Sequence, residues 1–294
     1  MATEAAKAAG RSGRKPVYQE VEEREARKVS SKVRAARTKR SQRLRRRYAV
    51  VYDIDGPRVR LGMVWFVLAA VALAAGPFFA ALVYGGAAAV AAAQSARCWR
   101  RRRQRPNELV AAAMAGLMGL GACLGAGGAG LALVAGAVVA CVVATGDSSS
   151  PHPTLTDAGW TIQCAVFPGL VALSMVLLAR LDQGSAIALL LLVSAYESGD
   201  YLVGSGARNP YEGPAAGLAA VVVITFIVST TPISTLDFGQ AWLFGGLVAL
   251  LAPLGQLFAS ALLPTAGSPA SGLRRLDSLL LVAPLWCFGV GLVI

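Results

Sequence analysis

Beyond Leu61 the chain carries nine carboxylates: Glu108, Asp147, Asp157, Asp182, Glu197, Asp200, Glu212, Asp237 and Asp277. Two stretches gather them with other polar groups. In SAYESGDYLVGSGARNPYEGP, residues 194–214, Glu197 and Asp200 stand near the end of an apolar run and Glu212 follows in the loop. In GLRRLDSLLLVAP, residues 272–284, Arg274, Arg275 and Asp277 stand at the mouth of another. An ionised group at membrane depth is costly, so it pairs or performs chemistry, and Glu197 is therefore a functional candidate. The alternative is that Glu197 and Asp200 mark the water interface. Asp277 divides the same way, between an anchor and a chemical group. Other chemistries are poorly supplied. The single histidine, His152, lies in the loop TGDSSSPHPTLTD, so a histidine-based zinc site lacks a second imidazole. The five cysteines, Cys98, Cys123, Cys141, Cys164 and Cys287, show no C-x-x-C spacing, and four of them fall inside apolar runs. They read as small core residues.

The elements that must position these groups are membrane helices. Of 294 residues 55% are hydrophobic and only 15% charged, and the mean hydropathy is +0.57. The apolar residues gather into runs of spanning length, which excludes an ordinary soluble domain. The runs are 61–75, 77–96, 108–124, 126–145, 159–180, 184–203, 214–233, 239–262 and 276–294, each bounded by Gly, Pro or charge. The expected fold is an all-α, polytopic helical bundle with about nine transmembrane helices.

Charge sets the expected orientation. Residues 1–60 hold 18 Lys and Arg against 7 Asp and Glu, so the formal +12 of the whole chain belongs almost entirely to this tail. No signal-peptide pattern precedes the first apolar run. A basic cytoplasmic tail, helical or disordered and lying near anionic headgroups, is expected over 1–60. The arginine run RCWRRRRQRP, residues 97–106, should face the same side, so an even number of crossings separates the two. The hairpin joined at Gly76-Pro77 meets that condition. Loops 146–158, 204–213 and 263–275 then share the cytoplasmic face, with loops 204–213 and 263–275 forming a polar cleft. Crowded small residues, as in AAAMAGLMGLGACLGAGGAG, permit close backbone approach between helices.

Four segments in order resemble the bacterial phosphatidate cytidylyltransferase (CDP-diacylglycerol synthase) family. ESGDYLVG, residues 197–204, is similar to its D-T-G-A-Y-F-V-G, and NPYEGPAAGLAA to its S-P-K-K-T-W-E-G and following helix. GQLFASALLP, residues 255–264, is similar to G-D-L-x-E-S-x-x-K-R, and RRLDSLLLVAP to D-R-x-D-S-L-x-x-A-P. AAAQSARCWRRRRQRP stands where the family has a basic loop after its second helix. The resemblance implies that residues 61–294 form a transmembrane cytidylyltransferase-like domain. It also implies transfer of CMP from CTP to phosphatidate with release of diphosphate, assisted by Mg2+ if the protein is active. On the same ground Asp277, Glu197 and Glu212 are the expected catalytic groups, with Asp277 and Glu197 as metal ligands. Arg208, Arg275, Tyr201, Ser260 and Ser278 are the expected substrate-binding groups.

The departures from the pattern cluster in one place. Gln256 stands for an aspartate, Ala259 for a glutamate, Leu263-Pro264 for Lys-Arg, and Arg274 for the first aspartate of D-R-x-D. Both lysines of the second segment are gone as well. Asp277 beside two arginines is expected to pair with arginine rather than bind magnesium. The expected function is a phosphatidate cytidylyltransferase-like membrane protein of phospholipid biosynthesis with impaired catalysis. Two alternatives stay open: a non-catalytic pseudoenzyme that scaffolds or regulates phospholipid synthesis, and a membrane anchor presenting a basic tail. Expected partners are membrane lipid (phosphatidate or another anionic phospholipid), CTP if the protein is active, and a second copy in a homodimer. Nucleic acid is not expected, because the tail offers only Tyr18, Tyr48 and Tyr52 for stacking. The expected location is the cell inner or plasma membrane, multi-pass, with the N-terminus cytoplasmic.

Overall fold

The structure, a computed structural model, describes residues 57–102, 104–146, 154–207, 209 and 211–293. The tail expected over 1–60 falls outside them up to residue 56, as do His152 and Arg208. The described residues form helices and no strand: α1 (Pro57–Ala75), α2 (Pro77–Arg100), α3 (Glu108–Gly121) with a 3-10 turn at Ala122–Leu124, α4 (Ala126–Gly146), α5 (Thr154–Leu181), α6 (Gln183–Gly204), α7 (Glu212–Thr230), α8 (Phe238–Leu262), α9 (Ser271–Arg274) and α10 (Leu279–Val293). Six of them, α2 and α4 to α8, are long and apolar enough to cross a membrane. Leu61–Ala75, Glu108–Leu124 and Leu279–Val293 are shorter apolar helices, so each of the nine expected runs is helical.

Two boundaries differ from expectation in ways that matter. α5 begins at Thr154 rather than 159, with Asp157 in its first turn where a carboxylate suits the helix dipole. α10 begins at Leu279 rather than 276, which leaves Asp277 in a turn. Elsewhere local chemistry sets the ends. Asn107 caps α3 by accepting from Val110 N–H at 3.0 Å, and Asp237 and Gln240 form a reciprocal capping box on α8. Between α1 and α2 stands Gly76 alone, at φ 115°. That backbone conformation favours glycine, and Pro77 then starts the next helix without needing its missing N–H.

Contacts sort the connections to two ends of the bundle. At one end Gln183 donates to the carbonyls of Leu73 and Ala74, at 2.6 and 2.8 Å, and Arg180 donates to Ala122 O at 3.0 Å. Asp182 there accepts from Thr235. At the other end Trp99 stacks on Trp160, with ring centroids 4.2 Å apart, and Asn107 N–H donates to Thr161 at 2.9 Å. Trp99 Nε1 also donates to Leu262 O at 2.9 Å. The arginine-rich turn, the start of α5 and the end of α8 thus share an end, as charge predicts.

The core is built on backbone proximity. A Cβ on Gly85 would lie 3.1 Å from Gly116 O, and one on Gly119 would lie 3.0 Å from Gly85 Cα, so α2 and α3 touch almost without side chains between them. α5 is the most enveloped span, with 61% of its apolar window buried, whereas α4 has 11% buried and lies at the periphery.

Candidate functional site

The polar groups that gather come from helix interiors and one turn. On α6, Asp200 is buried and Glu197 half-buried. On α8, Gln256 and Ser260 are both buried, and their spacing of four puts them on one face. Past α9, the turn 275–278 carries Asp277, only 8% exposed, and the fully buried Ser278. Gly255 allows this turn to rest on α8, because a Cβ there would collide with the Asp277 carbonyl oxygen. Gly272 N–H donates to Gln94 Oε1 at 2.7 Å, which fixes the approach to the turn onto α2.

The bonds within the cluster are specific. Gln256 Nε2 donates to Asp200 Oδ2 at 3.2 Å. The Arg274 guanidinium donates to Ser260 Oγ at 3.0 Å and to Ala266 O at 2.7 Å, and it lies 3.8 Å from Asp277 Oδ2. The other Asp277 oxygen accepts from the Ser278 N–H at 2.8 Å and from its hydroxyl at 3.4 Å. Glu197 lies in the fields of Asp277, Arg275 and Asp200. Burial presses the Arg274 guanidinium below its ordinary pKa and the Asp277 charge opposes this. A guanidinium stays charged regardless. Arg275 packs under α1, where a Cβ on Gly62 would lie 3.0 Å from its Nη1.

Of the expected site residues, Glu197, Asp277, Ser260, Ser278 and Arg275 are brought together. Glu212 is not: it is exposed at the start of α7 and accepts from Asn209 at 2.7 Å. Tyr201 is half-buried next to Asp200 and makes no hydrogen bond to the cluster. Arg208 lies outside the described residues. The polar groups that gather lie on α6, on α8 and in the turn 275–278 rather than in loop 204–213. One member was only partly read from the sequence and another escaped it. Arg274 enters there as a lost aspartate and as one of two arginines expected to pair with Asp277, but its bonds to Ser260 and Ala266 were not foreseen. Tyr84, fully buried on α2, lies within the field of Glu197, with its hydroxyl lacking a hydrogen-bond partner. Nothing in the alanine-rich run around Tyr84 singles it out.

The Mg2+ implied by resemblance can be tested against this donor set. A hard cation needs several oxygen lone pairs converging on one point. Here Asp277 faces Ser278 with one oxygen and Arg274 with the other, and Asp200 accepts from the Gln256 amide. Among the described residues no group of three or more His, Cys, Asp or Glu converges to hold a metal. The residues present do not fit the ion.

The family model described as the cytidylyltransferase family matches residues 57–263. That range includes Glu197, Asp200, Gln256 and Ser260 and stops before Arg274 and Asp277. No curated protein matches the chain.

Proposed function

We propose, from the premise that this chain belongs to the cytidylyltransferase family, that it is a phosphatidate cytidylyltransferase-like membrane protein of phospholipid biosynthesis whose catalysis is impaired. The observation that carries the reading is the pairing inside the cluster. Gln256 and Arg274, which stand where the resemblance implies carboxylates, bond to or face the acids that remain, Asp200 and Asp277. Groups that act as a unit in phosphoryl transfer lose nearly all turnover when several are replaced. In this reading the end of the bundle bearing residues 97–105 and 263–278 faces the cytoplasm of a cell inner or plasma membrane. The cluster retains contact with the phosphate end of an anionic lipid. At zero turnover the protein is a scaffold of the same pathway.

The test is CTP-dependent formation of CDP-diacylglycerol from phosphatidate by purified full-length protein with magnesium. No product above background is expected, nor rescue of cells depleted of their own cytidylyltransferase. Robust activity that disappears in Asp277→Asn would overturn the proposal.

A further inference from the structure

We infer that Arg274 is a built-in cation that stands against Asp277 in place of a divalent metal, and that reversing its charge opens the Asp277 site to a divalent cation. The inference rests on the proposed reading only for the choice of cation. Its support is geometric. Three carboxylates from two separate segments, the buried Asp200 and Asp277 and the half-buried Glu197, lie within one another's fields, and Asp200 and Asp277 are each held by a side chain facing them. Such a cluster disperses or protonates unless positive charge sits among it. Arg275 supplies one charge from beneath α1. Arg274 supplies the other from inside, held by the Ser260 hydroxyl and the Ala266 carbonyl so that its Nη1 faces Asp277. These two hydrogen bonds aim the guanidinium independently of the acid. It is therefore a preset element and not a surface side chain that happens to fall near a carboxylate.

A guanidinium and a divalent ion compete for the same carboxylate oxygens, and here the guanidinium is tethered at high local concentration. External Mg2+ or Mn2+ therefore finds no opening in the wild-type cluster. Replacing Arg274 by aspartate removes the competitor and adds a carboxylate three residues before Asp277. That is the oxygen-rich environment a hard cation takes.

The experiment is Mn2+ titration of the purified full-length protein, followed by loss of the free-ion signal in electron paramagnetic resonance. Wild type and Asp277→Asn should deplete the signal equally. Arg274→Asp should remove one further equivalent of Mn2+ per chain, and adding Asp277→Asn to that variant should abolish the gain. An Asp277-dependent equivalent bound by the wild type would overturn the inference, as would a folded Arg274→Asp protein that binds no more than wild type. If circular dichroism shows that Arg274→Asp is not helical, Arg274→Gln takes its place with the same two outcomes, and the wild-type comparison decides in either case. Turnover without metal would refute the impaired-catalysis proposal and leave this inference standing. A wild-type Mn2+ site without turnover would do the reverse.

Discussion

Removing Arg274 and Asp277 together should damage the protein less than the sum of removing each alone. The guanidinium donates at 3.0 and 2.7 Å to Ser260 and Ala266 and faces Asp277 at 3.8 Å, with side-chain exposures of 20% and 11% for the two ionic partners. Taking one partner from a buried pair costs about 3–5 kcal/mol, because the survivor is left charged in a poor solvent. The 3.8 Å separation and the Ser278 bonds that Asp277 keeps favour the lower end, so Arg274→Met should cost about 3 kcal/mol. In Arg274→Met/Asp277→Asn the stranded charge is gone, and the pair should show a coupling of about 1–2 kcal/mol. The assay is thermal or denaturant unfolding of the four proteins in one detergent, followed by helical circular dichroism. Strict additivity of the two single losses would refute the claim that the arginine compensates this acid.

Three further outcomes are expected. Gly76→Ala should cost about 1–3 kcal/mol through backbone strain at φ 115°, whereas Gly86→Ala, equally free of neighbours but helical, should be nearly neutral in the same unfolding assay. Burial pushes the Asp182 carboxyl up, but hydrogen bonds from Ser185 and Thr235 outweigh it and hold the group below its usual range. Its contribution is thus complete above the ordinary aspartate value of about 3.9 and lost as pH falls through the lower folded value, and Asp182→Asn should flatten that acid limb of the melting curve. Single cysteines at Ser12, Gln104 and Ser268 in a cysteine-free background should all resist an impermeant reagent applied outside cells, and labelling at Gln104 alone would contradict the hairpin at Gly76.

The helices were legible because spanning length and apolar composition are properties of contiguous sequence, and because Gly76-Pro77, Asp182 and Asp237 are local punctuation. The small-residue reading of the α3 region was equally local, and Gly116 and Gly119 against Gly85 give it physical form. What lay beyond reach depends on distant partners. The apolar run after Leu276 conceals the turn at 275–278, whose position is set by Gly255 on another helix. The sequence expects Asp277 to pair with an arginine, but which arginine, and that Arg274 is held by Ser260 and Ala266, depends on α8 and on residues that the motif does not show. Asp200, taken with Glu197 as a marker of the interface, is buried because Gln256 arrives from α8 to bond it. Pairwise satisfaction of this kind leaves no periodic trace in the chain.

The separation in sequence between these partners sets a timetable for biogenesis. Asp200 leaves the ribosome 56 residues before Gln256 does, and Arg274 follows later still. At about 5–20 residues per second, α6 enters the bilayer several seconds before any of its polar partners on α8 or α9 exist. Through that interval the two acids of α6 must be carried protonated, kept at the lipid headgroups or shielded by the insertion machinery. Locking this part of the bundle is therefore a late event, and the Arg275 charge that acts on Glu197 is synthesised well after α6 has been delivered to the membrane.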